Sequence, residues 1–427
     1  MGCKKDFMPL HKKVKSLKKE YGFRGLYHFT DFSNLKLIFK SGELYSRNYC
    51  KNNMIKFNDG ANHSVLGKAS KDVKDYVRFY YRPKTPTLYE NEGIKLKEYM
   101  DKIHIPIPVY LIFDEKLIYL DTTKFSNGNA TNSEIGSSAE FFINMDWNHI
   151  FHNNTFTSCE RNTIINKRQA ELLSTKPVSL CYLKEIVFRC NTDIKRAINI
   201  FGYDDRFTVD ISLFSDKNFI EPKHDYERNN FIDDYDIKIK PEEFAVEIEV
   251  EFNKIWREYK TKVRVYDYDD KIIHDYYPPM VWYKDFYGNI MDNPVEYFEN
   301  KILRLEGDVF KWKKIEIFVN NILCIEEYLL KDYIYDYKAI LKNNEKGSTL
   351  ELTKYFISKY VLKLNHKVEI KDLKGNIVYS RKLSFPKDAK DLGWITKFEN
   401  YKKEWYILNY YIDDILCISN KIDNLLR

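Results

Sequence analysis

The chain has 427 residues, too long for one ordinary domain, and its 44% hydrophobic and 16% aromatic content excludes a globally disordered protein. Its formal charge of +6 is uneven: residues 1–215 carry 33 Lys and Arg against 24 Asp and Glu (+9), the remainder 36 against 39 (−3). A basic first half suits a phosphate-rich partner, although abundant lysine also makes an ordinary solvated surface.

The cysteines, Cys3, Cys50, Cys159, Cys181, Cys190, Cys324 and Cys417, form no CxxC pair and are odd in number. That argues against a zinc ribbon or a secreted disulfide framework and for a reducing cytoplasm. The opening Met1-Gly2-Cys3 lacks the apolar run of a secretion signal, and Asp6 stands where myristoylation prefers Ser or Thr. No apolar stretch approaches the roughly 20 residues that span a bilayer, so a soluble protein without a membrane partner is expected.

Along the chain, Lys4 to Glu20 is Lys-rich, with Val14 and Leu17 spaced as one helical face. Leu26-Tyr27-His28-Phe29-Thr30 predicts a short strand; Ser33 is then expected to cap a helix through Leu35, Leu37 and Ile38 that Gly42 closes. Residues 59–75 read as a long loop with a short helix. Strands are predicted at Tyr76–Tyr81, Val109–Phe113 and Ile186–Arg189, and a capped helix from Thr192 to Phe201 before Gly202. This is a mixed α+β pattern. Past about residue 215 the texture changes to alternating runs, such as Glu247 to Phe252 and Lys262 to Tyr266, that predict half-buried strands.

That second half repeats itself. Trp312 precedes Ile322-Leu323-Cys324-Ile325 as Trp405 precedes Ile415-Leu416-Cys417-Ile418, an offset of 405 − 312 = 93. Lys262-Val263-Arg264-Val265-Tyr266-Asp267 matches Lys367-Val368-Glu369-Ile370-Lys371-Asp372 at an offset of 367 − 262 = 105. The expected organisation is a domain over 1–215, then two tandem sandwich-like β-rich repeats over 216–345 and 346–427.

Common nucleotide and hydrolase fingerprints are absent. Gly60 to Gly67-Lys68 departs from a phosphate-binding loop, with Ala69 in place of the hydroxyl residue. Glu249-Val250-Glu251, in a run of alternating charge, reads as an exposed strand edge rather than a metal-binding pair. Four blocks of the first half nevertheless form an ordered pattern: Leu26 to Thr30 followed by Asn34-Leu35; Val77-Arg78-Phe79-Tyr80-Tyr81-Arg82-Pro83-Lys84-Thr85-Pro86; Phe125-Ser126-Asn127-Gly128-Asn129; and Arg168-Gln169-Ala170-Glu171-Leu172-Leu173.

Together these blocks, over about residues 20–205, resemble the DarT family, which modifies single-stranded DNA with ADP-ribose taken from NAD. The resemblance implies an ADP-ribosyltransferase fold and Glu171 as the catalytic carboxylate. Tyr27, His28 and Thr30 would form the wall of the NAD cleft, with Asn34 supporting it. Where the family carries an arginine between the prolines this chain has Lys84, with Arg82 two residues earlier; Lys keeps the charge but loses the planar fork. One of Arg82, Lys84 and Arg47 would hold a phosphate, Tyr81 would join the NAD site, and Tyr76, Tyr80 and Tyr81 offer stacking surfaces for an unstacked base. Phe125 to Asn129 is assigned an NAD-loop role. No metal is called for.

The chemistry explains the residue types. Breaking the bond between nicotinamide and ribose builds positive charge on the ribose, as in glycoside hydrolysis, and a carboxylate there stabilises it and accepts the proton of the attacking base nitrogen. By resemblance the chain would act as a bacterial toxin or antiphage effector. Its acidic repeat region would restrain the enzyme or sense an invader, and would be where an antitoxin or phage protein binds. Two other readings stay open: the same transfer onto RNA, and a cleft that binds NAD or another nucleotide without turning it over.

Overall fold

The computed structural model describes residues 2, 4, 7–60, 71–94, 105–214, 232–252, 261–277, 302–329, 334–344, 347–356, 361–386 and 391–426. Cys3, Asp6, the Gly67-Lys68 segment and the expected boundaries at 215/216 and 345/346 lie outside these residues. The chain divides into two compact units: residues 1–190 with 206–230, and residues 191–205 with 231–427.

The first unit opens with helix α1 (Phe7–Tyr21), which buries Leu10, Val14 and Leu17 on one face. Its strands are β1 (Leu26–Asp31), β2 (Glu43–Leu44), β3 (Val77–Tyr80), β4 (Pro108–Phe113), β5 (Thr123–Ser126), β6 (Ile135–Gly136), β7 (Glu171–Ser174), β8 (Val178–Ser179), β9 (Leu183–Phe188) and β10 (Phe207–Val209). Eight of them form one sheet in the order β10-β9-β4-β1-β3-β7-β5-β6, and β2 pairs with β8. Within the large sheet only β9 and β10 run parallel. Strand β4 is buried at every position, as its apolar run Pro108 to Phe113 requires of an inner strand.

Helix α2 (Leu35–Ser41) follows a 3-10 turn over Phe32–Asn34. The cap is Asp31 rather than the expected Ser33: the Asp31 carboxylate accepts the Ser33 N–H at 3.0 Å and its hydroxyl at 2.6 Å. Asp31, the last residue of β1, reaches an orphan N–H that Ser33, already inside the turn, cannot. Gly42 ends α2 at φ +70, a left-handed position. Short helices α3 (Arg47–Asn52), α4 (Pro86–Asn91), α5 (Ala139–Ile143), α6 (Trp147–Ile150) and α7 (Arg161–Lys167) fill the connections. Helix α8 (Asn191–Phe201), expected within the first 215 residues' domain, packs in the second unit against the strand at 322–328 and holds Glu327 through Asn199 at 2.6 Å.

The second unit is built of strands. They are β11 (Ile232–Lys240), β12 (Ala245–Phe252), β13 (Thr261–Asp267), β14 (Ile272–Tyr276), β15 (Ile302–Glu306), β16 (Trp312–Val319) and β17 (Ile322–Tyr328). Then come β18 (Ile334–Asn344), β19 (Gly347–Phe356), β20 (His366–Lys371), β21 (Ile377–Leu383), β22 (Gly393–Phe398), β23 (Ile407–Ile412) and β24 (Ile415–Lys421). The sheets run β11-β12-β15 and β14-β13-β16-β17, then β18-β19-β22 and β21-β20-β23-β24. Glu249 and Glu251 lie on β12, the middle strand of its sheet rather than an edge, with their side chains exposed.

Candidate active site

Glu171 opens β7 and is held between two neighbours, opposite Tyr80 of β3 on one side and Ser126 of β5 on the other. Its N–H donates to Ser126 Oγ at 3.0 Å, and that hydroxyl donates to the Gly128 carbonyl at 2.7 Å. Gly128 adopts φ +153, and a Cβ there would come within 2.4 Å of Ser133 Oγ, so the turn after β5 requires glycine. The Tyr81 hydroxyl donates to the Glu171 carbonyl at 3.2 Å. Backbone and flanking turn together fix where the carboxyl group starts.

The Glu171 side chain is fully buried and pairs with Arg78, an arginine that the chain places between Val77 and Phe79 on β3. Arg78 Nε lies 3.0 and 3.1 Å from the two carboxylate oxygens, and Nη2 lies 2.7 and 2.8 Å from them. A coplanar fork would set two separations short and two long, so the guanidinium edge here straddles the carboxylate. The Tyr80 hydroxyl is also hydrogen-bonded to Glu171, and burial together with that carboxylate's charge raises the phenol well above its usual range.

Beside this pair lies a cavity of about 540 Å³, within the roughly 300–1,000 Å³ of small-molecule sites. His28, Thr30, Asn34, Arg47, Arg78 and Tyr80 are among its lining residues, with Phe29 stacked on Tyr80 at 5.5 Å between ring centroids. His28 Nδ1 sits 3.0 Å from the Arg78 carbonyl. A carbonyl only accepts, so Nδ1 carries the proton and Nε2 keeps its lone pair. Burial lowers the His28 pKa and keeps the ring neutral. Asn34 donates to Thr30 Oγ1 and to the Asn58 carbonyl, both at 2.9 Å, and accepts the Asn58 N–H at 2.8 Å, tying β1 to the loop at 57–60. Arg47 is engaged by Asp59 at 2.7 and 2.9 Å.

Other expected residues lie elsewhere. Tyr27 is buried in a core with Tyr110, Ile112 and Val187, and burial pushes its phenol up to about 12. Its neighbour Tyr80 belongs to the same core and also lines the cavity. Tyr81 is wholly buried against Phe142 and Trp147. Arg82 is spent on structure: its guanidinium donates to the Ile150 and His152 carbonyls at 3.2 and 2.7 Å and to Asn153 Oδ1 at 2.7 Å. Burial, with Arg168 nearby, lowers Arg82 to about 10. Lys84 is exposed on a turn at φ +53, where its N–H meets the Tyr110 hydroxyl at 3.0 Å. Neither is among the cavity's lining residues; the cations that are, among the described residues, are Lys40, Arg47, Lys74 and Arg78. Phe125 is buried and Ser126 braces Glu171, so the segment from Phe125 to Gly128 supports the carboxylate from behind.

The rest of the Arg-Gln-Ala-Glu block fastens the strand. Gln169 Oε1 accepts from Thr87 at 2.9 Å and Asn129 at 3.0 Å, and Arg168 lies over the Phe156 ring at 5.1 Å. Among the described residues no group of three or more His, Cys, Asp or Glu side chains is placed to hold a metal ion. Arg78 was missed by sequence reasoning, which took its strand for aromatic surface. The available signal was one charge inside an otherwise apolar strand, since a charge so placed needs a partner.

The model of the family described as ssDNA thymidine ADP-ribosyltransferase, DarT, matches residues 27–220. Among solved structures, the chain is similar to the DarT of Thermus sp. 2.9 in complex with NAD+, at 19% identity over 44% of this chain and 96% of that one, TM-score 0.36. The same protein in complex with ADP-ribosylated ssDNA matches at 17% identity over 44% and 95%, TM-score 0.36. DarTG of Thermosipho africanus in complex with ADP-ribose matches at 16% identity over 45% of this chain and 51% of that one, TM-score 0.36. No curated protein matches the chain. Residues 27–220, which hold both Glu171 and the cavity, are a domain of the DarT family, the NAD-dependent ADP-ribosyltransferases of single-stranded DNA.

Proposed function

We propose that this chain transfers one ADP-ribose from NAD to a thymidine base of single-stranded DNA, with Glu171 as the catalytic carboxylate. The observation that carries the reading is a fully buried, ion-paired carboxylate whose guanidinium partner lines a cavity of about 540 Å³. His28 and Thr30 present polar atoms to the dinucleotide on the same walls, with Asn34 bracing Thr30 and Arg47 adding positive charge beside Asp59.

In the reaction the bond from ribose C1′ to the nicotinamide nitrogen breaks, and nicotinamide leaves with the electron pair. A base nitrogen bonds to C1′ and gives up its proton. Glu171 opposes the positive charge that grows on the ribose, holds a ribose hydroxyl and receives that proton. Labelled NAD incubated with single-stranded DNA or RNA oligonucleotides tests this. Label on DNA from wild type and none from Glu171→Gln supports the reading; label on RNA alone reassigns the substrate, and no NAD consumption leaves a binding protein.

The same proposal gives residues 232–426 two copies of one module of three-stranded and four-stranded sheets. Support comes from equal sheet orders and from equal turns. The Asp267 carboxylate accepts the N–H groups of Asp269 and Lys271 at 3.0 and 2.9 Å; Asp372 does the same for Lys374 and Asn376 at 2.8 and 2.9 Å. Asn320-Asn321 and Asp413-Asp414 both take positive φ at adjacent positions, the geometry of a two-residue hairpin turn. In the second copy Leu350, Leu352 and Phe398 of one sheet share a core with Val368, Ile370 and Tyr410 of the other.

The chain acts as a toxin or antiphage effector, and the acidic repeat region restrains it or senses an invader. Its catalytic half is basic, which motivates the pairing. Substituting the core residue Leu352→Asp in the full chain should raise transfer per soluble molecule; equal transfer rejects restraint.

A further inference from the structure

Arg78 makes two contacts in the cavity wall that no other described residue makes. Its guanidinium edge holds both oxygens of Glu171 at 2.7–3.1 Å, and its backbone carbonyl takes the Nδ1 proton of His28 at 3.0 Å. The side chain is 27% exposed while that of Glu171 is 0%, so the arginine is the half of the pair that a ligand in the cavity meets first. We propose that Arg78 is the positioning residue of this active site. Its guanidinium holds both oxygens of Glu171 in the orientation the reaction needs, and its backbone carbonyl sets which nitrogen of His28 carries a proton.

Magnitudes decide between this role and simple bracing. A carboxylate removed from water without a partner costs several kcal/mol, and such a group takes up a proton instead. Protonated, Glu171 could neither oppose positive charge on the ribose nor accept the base's proton. Pairing has its own cost, since a guanidinium at contact distance offsets part of the carboxylate's field. The straddling geometry limits that cost: in-plane lone pairs on the carboxylate are left for a ribose hydroxyl. The His28 contact extends the argument. With Nδ1–H committed to the carbonyl, His28 makes no hydrogen bond through Nε2 to any described residue, and Nε2 is an acceptor for a ligand O–H or N–H. A brace that served folding alone would not need to line the cavity. The buried pair Glu92–Arg189, at 3.0 Å, is absent from its walls.

The inference rests on Glu171 being the catalytic carboxylate, and the experiment separates the two. Transfer from NAD to a single-stranded oligonucleotide is followed against pH for wild type, Glu171→Gln, Arg78→Met, Arg78→Gln and Arg78→Lys, with NAD binding measured separately. Arg78→Met and Arg78→Gln should lower kcat by about 100-fold. Their NAD Kd should stay within about threefold, and the acid limb of kcat should move to higher pH, because a buried carboxylate without a cation beside it takes up a proton more readily. Arg78→Lys should restore the position of the limb and only part of the rate. Wild-type kcat in a folded neutral variant, a lower kcat with an unmoved acid limb, or a loss confined to NAD binding each overturns the proposal. Should neither neutral variant fold, Arg78→Lys decides: kcat down about tenfold with NAD binding kept supports it, and wild-type kcat overturns it. Transfer retained by Glu171→Gln would instead mean that the reading of Glu171 has failed, whatever Arg78 does.

Discussion

Arg78 and Lys354 are both cations sunk into a β-sheet, one in each unit of the chain, and their surroundings differ completely. Arg78 meets the buried Glu171 carboxylate on a cavity wall. Lys354, on β19, is wholly buried; it donates to the Thr396 hydroxyl at 2.5 Å and lies over the rings of Phe385 and Tyr410 at 5.5 and 5.1 Å. Among the described residues no carboxylate pairs with it. Burial therefore drives its ammonium down to about 7. His366, 3.0 Å from the Tyr410 hydroxyl, is pushed down to about 4 by burial in the same core. A buried charge that keeps its partner is available for chemistry; one without a partner tends to give up its charge and becomes a matter of stability.

The sharpest way to break this contrast is to remove charge on the catalytic side. Glu171→Gln keeps the shape of the side chain and should cost about a thousandfold in transfer, with NAD binding largely kept. Arg189→Met, which removes the guanidinium paired with the buried Glu92 outside the cavity, should destabilise the first unit by roughly 3–5 kcal/mol in urea unfolding. Transfer per folded molecule should be unchanged. A catalytic loss there would show that pairing, and not placement on the cavity, is what matters.

On the other side, the unfolded Lys354 amine binds a proton up to about pH 10.5 and the folded one only to about 7. Between those values unfolding takes up a proton, so the stability of the second unit should rise with pH by as much as about 1.4 kcal/mol per unit. Lys354→Met should abolish that slope and stabilise the unit below pH 7. A smaller rise of the same sign should appear between about pH 4 and 6.5, where the folded His366 stays neutral and the unfolded ring is protonated. Thermal melts of the full chain against pH check both windows; flat profiles would contradict the account.

Much of this was legible in the sequence because it is local. The helix and strand positions of the first half follow from side-chain periodicity and from Gly42 and Gly202, which stand at φ +70 and +84. The two-copy reading of the second half comes from the same local source, since a tryptophan stands ten residues before each Ile-Leu-Cys-Ile run. The Arg-Gln-Ala-Glu block singled out Glu171, the residue proposed as the catalytic carboxylate. What escaped was contact between distant segments: Arg78 and Glu171 are 93 positions apart, and strand pairing alone brings them together. Tyr27 and Tyr80 stand opposite each other on paired strands and share one core, yet of the two Tyr80 also lines the cavity. Alternation along one strand does not say which neighbour covers which ring. Lys84, between the prolines, and Arg82, two residues earlier, were expected at the site because the family carries an arginine there, but Arg82 is spent on the carbonyls of Ile150 and His152 and Lys84 stands exposed on its turn.

The most direct test is mass spectrometry of nucleosides released from a thymidine-containing single-stranded oligonucleotide after incubation with NAD and the full chain. The account predicts thymidine bearing one ADP-ribose from wild type and unmodified thymidine alone from Glu171→Gln. Equal modification by both proteins, or none by wild type while NAD is bound, would contradict it.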